Sequence, residues 1–167
     1  MNDIQNVMIH MIEYDKGDPR RIQHFIKVYQ FAKLIGEMEQ VDGQTQETIE
    51  IAALVHDIGI KISEEKYQSS SGKYQELEGP PIAAALLKDL GCAESFINRI
   101  CWLVGHHHTY GNIMDLDHQI LVEADFLVNA YEDDMTSDSI RSVLSKIFRT
   151  DSGRLLLKTM YLEKDKN

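Results

Sequence analysis

Apolar residues recur along most of this chain at intervals of three and four positions, the spacing that gathers them on one face of an α-helix. This pattern predicts a first helix over residues 2–14. Gly17 interrupts it, and Asp18 followed by Pro19 is a typical helix start, because aspartate caps backbone N–H groups and proline fits the first turn. The second helix is predicted to continue to about residue 40.

The same periodicity predicts helices over the rest of the chain, with one interruption. A third helix ends at a His56-Asp57 doublet. The polar stretch after Gly59 lacks a hydrophobic period, and we predict a loop there that acts as a lid or faces a substrate. Pro80-Pro81 then predicts the start of a helix, and four more helices follow. We therefore expect an all-α, single-domain helical bundle of six to eight helices.

Composition and charge narrow the class of protein. The chain has 167 residues, of which 43% are hydrophobic, enough for one domain with a substantial core. Its formal net charge of −10, without a basic patch, argues against general nucleic-acid binding. No apolar stretch approaches the roughly 18 residues of a membrane span, and no signal peptide is evident. Two cysteines without a CxxC pattern favour reduced thiols, so we expect a cytoplasmic protein that does not bind membranes; a homodimer is compatible with the sequence.

The doublet His56-Asp57 is the first candidate for chemistry, because it ends the most apolar helical stretch of the chain, residues 51–55. A carboxylate buried there requires a cation, and the C-terminal end of a helix disfavours negative charge. Asp125 interrupts a second apolar run, and histidines recur at His24 and in a triplet at 106–108. Histidine and aspartate are ligands of divalent metals, so the pattern indicates a metal site.

Each of these residues also has an ordinary structural interpretation. His24 alone is more often a histidine satisfied within the core than a ligand, and the triplet 106–108 is compatible with a solvated turn. Asp125 can pair with lysine or arginine, and a two-residue doublet arises by chance. Their joint occurrence, each on or at the end of an apolar helix, favours the metal site.

These residues make the chain resemble the HD-domain superfamily of metal-dependent phosphohydrolases. The resemblance is carried by "RRIQHFIKVYQFA", "AALVHDIGI", "WLVGHHH" and "LVEADFLVNAY", and it spans about residues 18–135. It implies a bundle of helices whose ligands converge on one cavity. The family's metal ligands map onto His24, His56, Asp57 and Asp125.

The resemblance also implies a second metal in some family members, held by additional histidines. His106 and His107 are the candidates here, and His106 is a candidate catalytic residue. Relatives often have a histidine where this chain has Glu78-Gly79. Glu78 is therefore a candidate second ligand or catalytic carboxylate, although an acidic residue before a helix start also has a purely structural explanation. We expect one firm metal site and a weaker second one.

Basic residues near these motifs are candidates for binding substrate phosphate. Arg20 and Arg21 precede His24 by one turn, although a solvated pair is their more common role. The lysine that follows the doublet in relatives is Ile60 here, with Lys61 one place later.

Together these features predict a metal-dependent phosphohydrolase whose substrate is a nucleotide or another small phosphate ester. A divalent ion with open coordination positions activates water and neutralises phosphoryl charge, and Asp57 is the candidate to bridge two ions. Mn, Fe, Co, Ni, Zn and Mg all fit mixed nitrogen and oxygen ligands. Two alternatives stay open: an HD module that binds a nucleotide or partner without turnover, and oxidative di-iron chemistry.

Overall fold

The computed structural model describes residues 3–163, and every regular element in that range is a helix. The nine helices are α1 (Asp3–Tyr14), α2 (Pro19–Met38), α3 (Gly43–Val55), α4 (Ile60–Tyr67), α5 (Gly72–Asp89), α6 (Glu94–Val104), α7 (Leu116–Glu132), α8 (Ser137–Lys146) and α9 (Asp151–Tyr161). The predicted all-α fold is confirmed. Eight of these helices correspond to those predicted from the hydrophobic period, and α4 is additional.

The segment predicted as a loop after Gly59 is largely helical, which corrects the prediction. Ser63 is fully buried in α4, and its hydroxyl donates to the Gly59 carbonyl oxygen at 2.7 Å. α4 ends at Gln68, which adopts a left-handed conformation with φ 52°. Only residues 68–71 remain non-helical between α4 and α5. The helix is short and mostly polar, and Ser63 is its only buried residue, so it carries no periodic apolar stripe from which it could be predicted.

The helix predicted to start at Pro80-Pro81 begins eight residues earlier, at Gly72. Both prolines lie inside α5, where each lacks the N–H that would bond the carbonyl one turn back. Gly79 precedes them, and its missing Cβ removes part of the steric clash that a proline imposes on its neighbour. The packing around α5 therefore extends this helix back beyond the start that the two prolines predict.

The core is organised around α3, which packs against α1, α2, α6 and α7. Every residue from Thr48 to His56 is buried, so this helix has no solvent-facing side over that length. α2 and α7 flank it and also pack against each other. Because α3 is enclosed on all sides, the doublet at its end is delivered to the interior of the bundle. None of the helices within residues 3–163 is long and apolar enough to cross a membrane.

Close glycine contacts set the position of the doublet relative to α5. A Cβ on Gly59 would lie 2.7 Å from both the Gln75 carbonyl oxygen and the Gly79 amide nitrogen. A Cβ on Gly79 would lie 2.6 Å from Val104 Cγ1 on α6. The backbone after α3 therefore packs directly on the backbone of α5, and the Val104 side chain of α6 packs on the α5 backbone at Gly79. This contact brings the His56-Asp57 doublet next to the residues that follow α6.

Candidate metal centre

Four side chains from three helices converge where α2, the end of α3 and α7 meet. His24 Nε2 lies 3.3 Å from His56 Nε2, 3.4 Å from Asp57 Oδ2 and 3.2 Å from Asp125 Oδ1. His56 Nε2 lies 3.4 Å from Asp57 Oδ2 and 3.5 Å from Asp125 Oδ1. The structure thus places together the four residues that the sequence proposes as ligands. Separations of this size suit atoms that share one ion at roughly 2.0–2.3 Å.

The tautomer that metal binding requires is present in His24, His56 and the adjacent His107, which we include in the cluster from here on. His56 Nδ1 lies 2.8 Å from the Ala53 carbonyl oxygen and His107 Nδ1 lies 2.7 Å from the Val104 carbonyl oxygen. His24 Nδ1 lies 2.8 Å from Glu132 Oε2, and the other oxygen of that carboxylate, Oε1, accepts from Lys27 Nζ at 2.5 Å. Because these acceptors fix the hydrogen on Nδ1, each Nε2 presents a lone pair to the cluster.

Two buried atoms of the cluster have no hydrogen-bond partner among the described residues. They are His107 Nε2 and Asp125 Oδ1. Unpartnered buried polar atoms are costly, and in native proteins they generally mark a group that completes the site. A divalent cation satisfies a nitrogen lone pair and a carboxylate oxygen simultaneously. The donor set of this cluster therefore fits a metal ion.

The pKa shifts within the cluster also indicate that it needs positive charge. Burial alone would lower the pKa of His56, but the charge of Asp57 and the proximity of Asp125 raise it well above its usual value. Burial would raise the pKa of Asp57, yet His56 and His107 hold it well below its ordinary range. The Asp125 pKa is likewise lowered by His24 and His56 despite burial. The carboxylates remain charged, and either protons or a metal must neutralise them.

A second group of ligands adjoins the first through Asp57. One ligand atom each from Asp57, His107 and His108 lies within 4.8 Å of the other two, and His107 Nε2 is 3.4 Å from Asp57 Oδ1. His107, a candidate ligand from the sequence, is fully buried beside Asp57. The structure thus adds His108, and Asp57 is the residue common to both groups.

His106 does not reach either group, which corrects its assignment as ligand and catalytic residue. Its ring stacks on Trp102, with centroids 4.2 Å apart and planes inclined by 13°. Its Nδ1 lies 2.7 Å from the Trp102 carbonyl oxygen. In the turn after α6, successive residues point in different directions, and the triplet 106–108 therefore sends one ring to the protein surface.

Glu78 and Lys61 also lie outside the cluster, contrary to their proposed roles. The Glu78 carboxylate accepts from Lys66 Nζ and from the Tyr67 hydroxyl, each at 2.7 Å, and so links α5 to α4. Lys61 Nζ contacts the Tyr14 carbonyl oxygen at 3.3 Å. These contacts are satisfied locally, so neither side chain is directed at the metal ligands.

A cavity of about 470 Å³ gives solvent access to the cluster. Its walls come from α1, α2, α4, α5 and α7 and from the connections between them: Met11, Asp15, Asp18, Arg20, Arg21, His24, Phe25, Asp57, Ile60, Glu64, Ser70, Gln75, His108, Asp125, Asn129, Glu132 and Asp133. The short connection 68–71 contributes Ser70 to this wall.

The two arginines of the cavity wall differ in their availability. One terminal nitrogen of Arg21 lies 2.6 Å from both oxygens of Glu64, and its Nε lies 3.3 Å from Asp18 Oδ2. Arg20 forms no ion pair within the described part of the chain and is exposed to the cavity. Arg20 is therefore the guanidinium that can bind an anion without breaking an existing pair.

Sequence reasoning missed most of the polar residues of the wall, among them Asp15, Gln75 and Asn129. Asp15 is almost completely buried, and burial raises its pKa. Gln75 and Asn129 are on α5 and α7 and provide neutral amides. Asn129 lies four residues after Asp125, so helical spacing from a predicted ligand was a signal for it. Asp15 and Gln75 carry no comparable signal, because tertiary packing brings them to the cavity.

Comparison with known proteins agrees with this geometry. The sequence profile of the HD domain family matches residues 21–136, and the chain belongs to this family. A crystal structure of a predicted HD superfamily hydrolase from an uncultured Thermotogales bacterium is similar, with 26% sequence identity and a TM-score of 0.64. The similarity covers 94% of this chain and 82% of that protein. No curated protein sequence matches the chain. Membership places the chain among proteins that bind divalent metals and that include hydrolases.

Proposed function

We propose that this protein is a metal-dependent phosphohydrolase that acts on a nucleotide or another small phosphate ester. The observation that carries the proposal is the convergence of His24, His56, Asp57 and Asp125 on one point at the cavity floor. His107 Nε2 and Asp125 Oδ1, both buried and without partners, support it. Family membership supports the general class, a hydrolase, and the size and charge of the cavity support a small phosphate ester as substrate.

The ligands of the first metal are His24, His56, Asp57 and Asp125, and His107 adjoins them through Asp57. When bound there, a divalent ion lowers the pKa of a coordinated water and neutralises charge on phosphoryl oxygens. The protein's own contribution is orientation. The carbonyl oxygens of Ala53 and Val104 fix the rings of His56 and His107, and Glu132 fixes that of His24.

Arg20 is the residue proposed to hold the phosphoryl group at the mouth of the site. Its guanidinium is exposed and unpaired among the described residues, whereas Arg21 is engaged by Asp18 and Glu64. Guanidinium groups bind phosphate with paired, charge-assisted hydrogen bonds. Arg21 is then a support for the wall, and Lys61 has no proposed contact with substrate.

The charge of the cavity favours a small ester with few phosphates. Seven carboxylates and two guanidiniums line the wall. A divalent ion offsets Asp57 and Asp125, and an acidic surface still remains to repel a polyanion. The volume of about 470 Å³ suits a small molecule rather than a polymer. A nucleoside monophosphate or a sugar phosphate meets both conditions, and its hydroxyl groups can donate to the wall carboxylates.

The experiment is a hydrolysis panel with controlled metal content. Protein stripped with a chelator is reloaded separately with Mn, Fe, Co, Ni, Zn and Mg, and phosphate release is measured. The substrates are an aryl phosphate monoester and the mono-, di- and triphosphates of one nucleoside. We expect metal-dependent release, with the highest kcat/KM for monoesters. Absence of release with every metal and substrate contradicts the proposed activity.

A binding module without turnover is the second candidate, and one feature favours it. Glu78 is held by Lys66 and Tyr67, so it supplies no carboxylate to the second group of ligands. A site with an incomplete second metal can bind a nucleotide without hydrolysing it. Tight nucleotide binding by the metal-loaded protein, with no product after prolonged incubation, supports this candidate over the enzyme.

A further inference from the structure

Both ring nitrogens of His108 have side-chain partners that are not themselves candidate metal ligands. Nε2 lies 3.0 Å from Gln75 Oε1, and Nδ1 lies 3.1 Å from the Tyr110 hydroxyl. The Gln75 amide has a fixed orientation, because its Nε2 donates to the Ser70 carbonyl oxygen at 2.7 Å. Its Oε1 can only accept, so His108 Nε2 carries the hydrogen and Nδ1 accepts from Tyr110.

This arrangement is the opposite of that at the neighbouring His107. His107 Nε2 is a buried lone pair without a partner, 3.4 Å from Asp57 Oδ1. A metal ligand must offer such a lone pair, and His108 offers none while both hydrogen bonds are made. The three residues of the second group therefore lie near each other, but His108 cannot bind an ion while its two hydrogen bonds are made.

We propose that Gln75 and Tyr110 are positioning residues that hold His108 out of metal coordination. The chain then binds one divalent ion tightly and a second only when one of these hydrogen bonds breaks. This inference rests on the metal-dependent site of the proposed function and concerns how many ions that site holds. Gln75 and Tyr110 thereby control how many ions the site binds.

The ring of His108 can become a ligand in two ways, and both conserve its single hydrogen. If the second ion takes Nε2, the hydrogen moves to Nδ1, Gln75 is displaced and the Tyr110 oxygen becomes the acceptor. If the ion takes Nδ1, the Tyr110 hydroxyl is displaced and the Gln75 bond persists. In the first route the amide that loses its bond to His108 is the one that donates to the Ser70 carbonyl oxygen in the α4–α5 connection.

The test is titration of metal-free full-length protein with Mn²⁺ by calorimetry, together with metal analysis after dialysis. Gln75→Leu and Tyr110→Phe each remove one partner of His108 while preserving side-chain size. Gln44→Leu is the matched control, because Gln44 is exposed at the start of α3, about 20 Å from the doublet by helix length. Circular dichroism establishes that each variant folds.

Wild-type protein and Gln44→Leu should bind one ion tightly and a second far more weakly or not detectably. Loss of one hydrogen bond should strengthen the second site by about tenfold in Gln75→Leu or Tyr110→Phe, and the responding variant identifies the ligand nitrogen. Two equally tight ions in the wild type overturn the inference. So does a second site that stays unchanged or absent in both variants. Failure to bind even one ion instead contradicts the proposed function.

Discussion

Glu123 and Asp125 are both buried carboxylates on α7, two positions apart, and their partners explain their different roles. Glu123 accepts from the backbone N–H groups of Arg149 and Thr150, at 2.6 and 3.0 Å. Asp125 Oδ1 has no hydrogen-bond donor among the described residues. Burial of an acidic residue therefore does not identify a metal ligand. The absence of donors does, because only a cation can then compensate the charge.

The histidine triplet provides a prediction at the same scale. His107→Gln should weaken metal binding and phosphate release, because it removes the unpartnered Nε2 beside Asp57. His106→Gln should change neither, because that ring stacks on Trp102 outside the cluster. Mn²⁺ titration and an aryl phosphate assay measure both effects. Equal losses in the two variants would show that the placement of the triplet is wrong.

Asp15 should make the stability of the protein depend on pH. Burial raises the pKa of this carboxyl, so the folded state binds its proton more tightly than the unfolded state does. The resulting stability is complete below the unfolded pKa of about 3.9 and is lost as pH rises through the folded pKa. Asp15→Asn should therefore raise Tm at pH 7 and have little effect near pH 3. A variant with lower Tm at pH 7 would contradict this.

The four ligands proposed from the sequence lie together in the structure, whereas most residues around them could not be predicted. His24, His56, Asp57 and Asp125 lie on periodic apolar helices, and the period directs them inward. His106 and His108 point in different directions because they lie in the turn after α6, where no hydrophobic period indicates which side chains face inward. Gln75 reaches the cavity only because α5 packs against the backbone at Gly59, between α3 and α4, a tertiary contact that no local pattern encodes.

At the scale of the elements, α5 shows why a helix-start signal in the sequence can give the wrong first residue of a helix. Pro80-Pro81 is a strong helix-start signal, but the packing of α5 on α4 and α6 extends the helix back to Gly72. Propensity is a weak preference that tertiary contacts override. The helices predicted with most success are α1 and α2, because each has a periodic apolar stripe and a clear signal at one end, Gly17 after α1 and Asp18-Pro19 before α2.

The junction of α3, α5 and α6 should be intolerant of added volume. Gly59→Ala should destabilise the protein by about 1–3 kcal/mol, since the new Cβ meets two backbone atoms at 2.7 Å that cannot move independently. Strain in φ is not the cause, because Gly59 has φ −76° and ψ −15°, which alanine adopts readily.

Gly43→Ala is the matched control, because nothing lies within 4 Å of its Cβ position at the start of α3. It should leave the free energy of unfolding unchanged or raise it by up to about 1 kcal/mol. Urea denaturation measures both variants. Similar free energies of unfolding for Gly59→Ala and Gly43→Ala would show that this junction is not closely packed.

At the scale of the whole molecule, folding and metal binding should be linked. The unfolded chain has no preformed site, so an ion that binds the cluster stabilises the folded state. At a free concentration about 100 times Kd, the gain is about 2.7 kcal/mol. Chelation should therefore lower Tm by several degrees, measured by thermal unfolding with and without added metal. An unchanged Tm would mean that protonated histidines alone neutralise Asp57 and Asp125.

The ligation of one ion by His24, His56, Asp57 and Asp125 is tested most directly by the metal content of the wild type and Asp57→Asn. The substitution preserves shape but removes the charge shared by both ligand groups. After dialysis against excess divalent metal and then metal-free buffer, wild-type protein should retain about one ion per chain and the variant essentially none. Full metal content in Asp57→Asn, or none in the wild type, would contradict the account.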